Sequence, residues 1–129
     1  MSNVLDFSNP KTVGERLRSE FYASISPDDL LSYKKKASDI LDELAEEIKS
    51  NIRANKPPIA QKDTMKSNSG IIAPNKELED LFNDYKFSVI IGDLAKERHL
   101  KIDFQARPIG IDKNTRQPVL GVILICTFE

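Results

Sequence analysis

The chain has 129 residues, of which 40% are apolar and 30% are charged, a composition typical of a folded globular protein. Its 19 basic and 20 acidic residues nearly cancel. Net charge therefore does not attract the chain as a whole to nucleic acid, to an anionic membrane or to an acidic substrate. The length favours a single domain over residues 1–129. One cysteine, no signal-peptide pattern and no long apolar run favour a cytoplasmic protein that does not enter the membrane.

Two amphipathic helices are predicted in the first half of the chain. Apolar residues at steps of four predict the first helix over residues 10–23. Ser26 and Pro27 are residue types preferred at a helix start, and Pro57 forbids continuation, so a long second helix is predicted over residues 27–54.

The apolar stripe of the long helix is wider than one contact surface requires. We therefore expect it to form the interface of a homo-oligomer, most simply a two-fold dimer. The alternative is that a later helix of the same chain covers the stripe. The residues of the predicted interface are Tyr33, Ala37, Ile40, Leu41, Leu44, Ile48 and Ile52.

The amino-acid composition changes twice in the middle of the chain, at residue 56 and again at residue 76. Residues 56–75 are rich in proline and polar residues and predict a flexible internal loop, in which Ile71–Ile72 is the one candidate for a short strand. Residues 76–98 are apolar on nearly all sides and predict a third helix that is buried. The competing interpretation ends this helix at Asp84 and makes Phe87–Ile91 a strand.

The last third of the chain predicts an antiparallel hairpin. Residues 100–107 alternate between apolar and polar types, as in a half-exposed strand. Residues 119–128 are apolar on both faces, as in a strand that is covered on each side. This second strand needs further neighbours, which Ile71–Ile72, Phe87–Ile91 or another subunit would supply. The fold class is therefore α+β, with N-terminal helices followed by a C-terminal hairpin.

No catalytic constellation emerges from the sequence. The chain lacks a nucleophile elbow, a phosphate-binding glycine loop and a dinucleotide-binding fingerprint. His99 follows a predicted helix end, and Cys126 lies in an apolar strand that disfavours a thiolate. Asp39, Glu43 and Glu46 share a helix face, a pattern more typical of a solvated surface than of a cation site. We therefore predict no enzyme, no metal site and no cofactor.

Basic residues give the hairpin region a local positive charge. Between Lys96 and Arg116, six basic residues oppose three acidic ones. Such a surface is suited to a small anion, a nucleotide or a nucleic acid. The residues of this predicted binding site are Lys96, Arg98, Lys101, Arg107, Lys113 and Arg116.

Two functional hypotheses follow from these features. The first is a non-enzymatic, self-associating protein that acts on another macromolecule, with an unidentified protein as the expected partner, as a regulator, inhibitor or adaptor. Such a role would suit an accessory protein of a virus or mobile element. The alternative is a small-anion, nucleotide or nucleic-acid binding module that uses the basic hairpin.

Overall fold

The structure is a computed structural model that describes residues 10–68, 71–111 and 113–129. It is an α+β fold with its helices mainly in the N-terminal part and its long strands at the C-terminus, as the sequence predicts. The described elements, in chain order, are α1 (Pro10–Ala23), α2 (Pro27–Arg53), β1 (Ala60–Asp63), β2 (Met65–Asn68), β3 (Ile71–Pro74), α3 (Lys76–Phe82), α4 (Tyr85–Glu97), β4 (Leu100–Ile111) and β5 (Pro118–Phe128).

The chain divides into two compact units, one ending at Tyr33 and one running from Lys34 to Glu129. In the first unit, α1 is followed by a short turn and by the start of α2. The backbone N–H of Asp29 donates to the Ser26 hydroxyl at 3.2 Å, which confirms Ser26 as the N-cap of α2. At the other end of α2, Asn55 adopts a left-handed conformation with φ of 56°, a geometry that ends helices.

The second unit is built on a three-stranded antiparallel sheet in the order β1-β5-β4. β4 and β5 pair from Leu100 opposite Phe128 to Ile111 opposite Pro118, with one register shift between Pro108 and Gly110. β1 pairs only with the C-terminal half of β5, from Ala60 opposite Cys126 to Asp63 opposite Ile123. β2 and β3 form a separate two-stranded sheet.

One face of the three-stranded sheet forms the core with the helices. Phe104 on β4 makes an edge-to-face contact with Phe82 of α3 at 5.3 Å, and Phe82 also stacks on Phe87 of α4. Leu124 and Cys126 point to this face from the central strand and are fully buried. The buried side chains of α2 are Ala37, Ile40, Leu41, Leu44 and Ile48.

Thr64 links the two sheets. Its N–H donates to the carbonyl of Val122 at 3.1 Å, and its own carbonyl accepts from the N–H of Asn75 at 2.7 Å. Its hydroxyl oxygen accepts from the N–H of Val122 at 3.2 Å. This buried residue therefore continues the pairing of β1 with β5 by one position and anchors the chain where it leaves the main sheet.

Two predictions for the middle of the chain are corrected by the structure. Residues 56–75 contain β1, β2 and β3 rather than a loop throughout, although Ile71–Ile72 do form part of a strand. That strand pairs with β2 and not with β5, whose added neighbour is Ala60–Asp63.

The third predicted helix is interrupted. Phe87–Ile91 is helical as predicted, but residues 76–98 form two helices, because Asp84 accepts a hydrogen bond from the N–H of Lys86 at 2.9 Å and starts α4. Nor is this segment buried on all sides, since Tyr85 and Val89 are exposed.

The predicted oligomer stripe is largely covered within the chain. Five of its seven residues are buried, whereas Tyr33 is half-buried and Ile52 is exposed. The surplus apolar surface that motivated a dimer through α2 is therefore mostly absent. Self-association and the single-domain interpretation stay predictions.

Candidate functional site

The structure disperses the six basic residues of the predicted binding site. Lys101 and Arg107 lie on the solvent-facing side of β4, six residues apart, which is about 20 Å along a strand. The guanidinium of Arg98 folds back to donate to the Ser38 hydroxyl at 3.3 Å. Lys96 lies on α4, and Lys113 and Arg116 lie in the turn between β4 and β5. One small anion cannot contact all of them.

The side of the sheet that carries the exposed polar residues of β4 is also balanced in charge, and its central residue on β5, Ile123, is buried. The register places Lys101, Asp103 and Arg107 on this side of β4 and Asp63 on the same side of β1. Two cations therefore oppose two carboxylates. Gln105 donates from its side-chain amide to Asp103 at 2.9 Å. This face does not favour a polyanion.

The outer edge of β4 presents backbone groups that do not face β5. The N–H of Glu129 donates to the carbonyl of His99 at 2.9 Å, which identifies that level as a hydrogen-bonded pair. In an antiparallel ladder, hydrogen-bonded and non-hydrogen-bonded pairs alternate. The N–H and C=O groups of Ile102, Phe104 and Ala106 therefore point away from β5. Among the described residues no strand pairs with this edge.

The opposite edge of the sheet, formed by β1, agrees with this alternation, and its outward groups are bound by helix α2. Gln61 of β1 directs its N–H away from β5 and donates to the Glu47 carboxylate of α2 at 2.8 Å. Lys62 forms an ion pair with Glu43 of the same helix at 2.8 Å. Helix α2 therefore lies beside the β1 edge, whereas α4 packs on β4.

One side of α4 is apolar and exposed. Tyr85, Val89 and Gly92 recur at helical spacing, and the two large side chains are 69% and 41% exposed. A Cβ atom added at Gly92 would meet no atom within 4 Å. The same side of α4 borders the start of β4, because a cavity of about 300 Å³ is lined by Gly92, Ala95, Leu100 and Ile102. Four charged residues complete its lining, namely Asp93, Lys96, Lys101 and Glu129.

The distal part of the β4–β5 hairpin is apolar and exposed as well. Beyond Gly121 the two strands continue without β1, and Ile111 and Leu120 are 71% and 62% exposed. Pro108 and the register shift next to it lie at the start of this segment. We define the edge surface as the outer edge of β4 at Ile102–Ala106, together with Tyr85, Val89 and Gly92 of α4.

Sequence reasoning missed the edge surface. It assigned Tyr85 and Val89 to the core, and it had no means of deciding which side of β4 pairs with β5. A usable signal was Gly92, since a glycine inside an apolar helix costs about 1 kcal/mol relative to alanine. Here no close packing offsets that cost.

A second cavity, of about 270 Å³, lies between α2, β1 and α3. Lys36 and Lys62 line it together with Asp39 and Glu77. Its charges are therefore matched, and Lys62 is already paired with Glu43. The cavity does not have the excess of one charge that an ionic ligand needs.

The titratable groups do not assemble a reactive centre in the described part of the chain. Burial raises the pKa of the Cys126 thiol, which keeps it protonated and poorly nucleophilic. His99 is exposed in a left-handed turn with φ of 55° between α4 and β4. The described residues contain no group of three His, Cys, Asp or Glu side chains placed to hold a metal ion.

None of the described helices is both long enough and apolar enough to cross a lipid bilayer. Comparisons with protein-family models, with curated proteins and with solved structures found no match to this chain.

Proposed function

We propose that the protein is a non-enzymatic cytoplasmic binding protein, a regulator, inhibitor or adaptor, that recognises another protein chain at the edge surface. The observation that carries the proposal is the combination of outward backbone groups on β4 with the exposed apolar side of α4. An extended segment laid along β4 would form hydrogen bonds with Ile102, Phe104 and Ala106. Its side chains on the helical face would contact Tyr85 and Val89.

Strand addition suits this surface for a physical reason. Main-chain hydrogen bonds supply affinity with little dependence on sequence, and neighbouring pockets select alternate side chains. Proteins usually protect edge strands with proline, bulges or a covering element. In β4 such protection occurs at Pro108 and the adjacent bulge, whereas Ile102–Ala106 contains neither a proline nor a bulge.

The proposal is tested with a library of short extended peptides displayed for binding to the whole chain. Ala106→Pro removes an N–H that points outward, so it blocks strand addition while leaving the β4–β5 ladder intact. Ala106→Ser is the matched control because it keeps that N–H. We expect selected peptides to bind the wild type and the serine variant, and to lose at least about tenfold in affinity for the proline variant.

Circular dichroism and thermal unfolding establish that both variants are folded before their affinities are compared. Peptides that bind all three chains equally would contradict the proposed site. Failure to select any peptide, from libraries that yield binders to a control domain, would contradict strand addition as the mode of recognition.

A second candidate function is nucleic-acid binding by the distal hairpin. Arg107, Lys113 and Arg116 oppose only Asp112 in this segment, and a two-stranded ribbon fits the major groove of DNA. Fluorescence anisotropy with labelled duplex DNA and single-stranded RNA tests this function. We expect binding to weaken steeply between about 50 and 200 mM salt, and the double variant Lys113→Glu/Arg116→Glu to abolish it. Binding that is unaffected by the double variant would exclude the distal hairpin as the site.

A further inference from the structure

The edge surface is complementary to itself, and we propose that its partner is a second copy of this chain. The copies would pair β4 with β4 in an antiparallel, two-fold dimer centred on Gln105. This inference rests on the proposed function, because it names the chain that adds to the edge.

Backbone direction limits the registers. Hydrogen bonds between two copies require outward residues of one copy to lie opposite outward residues of the other. Since Ile102, Phe104 and Ala106 point outward, even-numbered residues must oppose even-numbered ones. A two-fold axis satisfies this condition when it passes through any single residue of the regular segment.

Charge then selects among these registers. An axis through Asp103 places two aspartates opposite each other, and an axis through Phe104 places Lys101 opposite the partner's Arg107. Like charges directly opposite each other destabilise a sheet. An axis through Gln105 instead places Asp103 opposite the partner's Arg107, and it does so twice.

The neighbouring registers are poorer. An axis through Ala106 pairs no opposite charges. An axis through Ile102 pairs Lys101 with the partner's Asp103, but the overlap is short because β4 begins at Leu100. The register centred on Gln105 forms two opposite-charge pairs, and on each side of the axis it pairs Phe104 with the partner's Ala106 through hydrogen bonds. Ile102 then lies opposite the partner's Pro108, which can accept from the Ile102 N–H but has no N–H to donate, so the regular ladder ends there. This register is favoured over the one through Ile102 because it also brings Ile111 level with the partner's Leu100. Asp103 and the partner's Arg107 form a non-hydrogen-bonded pair, in which side chains approach most closely.

The same register brings the exposed side chain of Ile111 towards half-buried apolar residues of the partner on the helical face. The bulge between Pro108 and Gly110 accommodates one extra residue of β4, so Ile111 comes level with the partner's Leu100 rather than with His99. Ile111 pairs with Pro118 and lies on the same face as Leu120 and Leu124.

The side chain of Ile111 would thus approach the partner cavity of about 300 Å³, which is lined by Gly92, Leu100 and Ile102 and also by Asp93, Ala95, Lys96, Lys101 and Glu129. The open space above Gly92 leaves room for this contact. Two features at opposite ends of the edge, the exposed distal hairpin and the cavity beside α4, would cover each other twice in the dimer.

Charge reversal tests the register. Sedimentation equilibrium gives the dimer Kd of the wild type, of Asp103→Arg, of Arg107→Asp and of the double variant Asp103→Arg/Arg107→Asp. Each single variant replaces two attractive pairs by two repulsive pairs, so we expect its Kd to rise about tenfold. The double variant restores both pairs with exchanged signs, and we expect its Kd within about threefold of the wild type.

A cysteine at the two-fold axis gives an independent measurement. Gln105→Cys would face its own copy at a Cβ–Cβ separation of about 4.5–5.5 Å, close enough for a disulfide after a small adjustment. We expect mild oxidation to produce a covalent dimer of Gln105→Cys. Asp103→Cys, whose thiol would face the partner's Arg107, and the wild type with its buried Cys126, should stay uncrosslinked.

These measurements separate this inference from the proposed function. A wild-type mass of one chain, 14.6 kDa, at every concentration would overturn the dimer, while peptides that still lose affinity for Ala106→Pro would leave the edge as a site for another protein. A dimer that neither charge reversal nor Ala106→Pro weakens would contradict the β4 interface. Equal crosslinking of Gln105→Cys and Asp103→Cys would contradict the register.

Discussion

The unit from Lys34 to Glu129 has a covered and an exposed region, and both are apolar. The covered region consists of the α2 stripe, β1 and the half of the hairpin that β1 supports. The exposed region consists of the outer side of α4 and the distal half of the hairpin. Leu41 and Leu120 are chemically identical, yet the first is fully buried and the second is 62% exposed. The difference lies in how many layers surround each residue.

β1 determines where the boundary falls. It pairs with β5 only as far as Ile123, and Thr64 extends the pairing to Val122. Beyond that level β4 and β5 form a two-stranded ribbon, which is marginally stable alone in water. Burial of a Leu, Ile, Phe or Val side chain stabilises by about 1.5–3 kcal/mol. Another chain that covered the exposed apolar side chains of this region would therefore gain binding free energy from their burial.

The largest expected effect comes from shortening one leucine in each region. Leu41→Ala leaves a cavity under α2 and should lower the free energy of unfolding by about 3 kcal/mol. Leu120→Ala removes the same atoms from an exposed position and should cost less than about 0.5 kcal/mol. Urea unfolding at low protein concentration measures both, because a bound partner would cover Leu120. Similar losses at the two positions would invalidate the division into two regions.

A smaller effect is expected at the boundary itself. Thr64→Val keeps the shape of the side chain but removes the oxygen that accepts from the Val122 N–H. An unsatisfied, partly buried donor should lower the free energy of unfolding by about 1–2 kcal/mol. Thr127→Val is the control, since Thr127 is half-buried on β5, the strand that contains Val122, and its hydroxyl makes no hydrogen bond to a described residue. Equal stabilities of the two variants would show that Thr64 does not hold the end of β1.

Local signals in the sequence predicted much of the covered region. Ser26 and Pro27 mark the start of α2, and Pro57 limits its end. The alternation from Leu100 to Arg107 assigned the two faces of β4, and the solvent-facing residues are all exposed. β5 is buried on both faces at Ile123 and Leu124, as its continuous apolar run predicts. These features depend on periodicity and capping, which are local.

The remaining features depend on contacts that are distant in the sequence. Ala60–Asp63 has no strand pattern, and it becomes β1 because β5 lacks a neighbour on that side. The break between α3 and α4 was visible in principle, since Asn83 and Asp84 favour helix ends over helix interiors. The apolar periodicity through residues 76–98 concealed it. The same periodicity cannot tell which element covers a given side of a helix. It therefore left open whether another subunit or the same chain covers the α2 stripe, and it did not indicate the exposed side of α4.

The smallest expected effect is a pH dependence that belongs to the covered region alone. Burial raises the pKa of the Cys126 thiol above its ordinary value of 9.0, so the folded chain holds this proton more tightly than the unfolded chain. The resulting contribution to stability is fully present below pH 9.0 and is lost as pH rises through the folded-state pKa.

Urea unfolding of the wild type and of Cys126→Ala at pH 8 and pH 10 isolates this contribution, because both chains share the titration of their lysines and tyrosines. We expect Cys126→Ala to be less stable at both pH values, since it leaves a small cavity. The wild type should nevertheless lose more stability between them. Parallel losses would mean that the thiol titrates normally and that water reaches the centre of β5, in which case the covered region would be no better sealed than the distal hairpin.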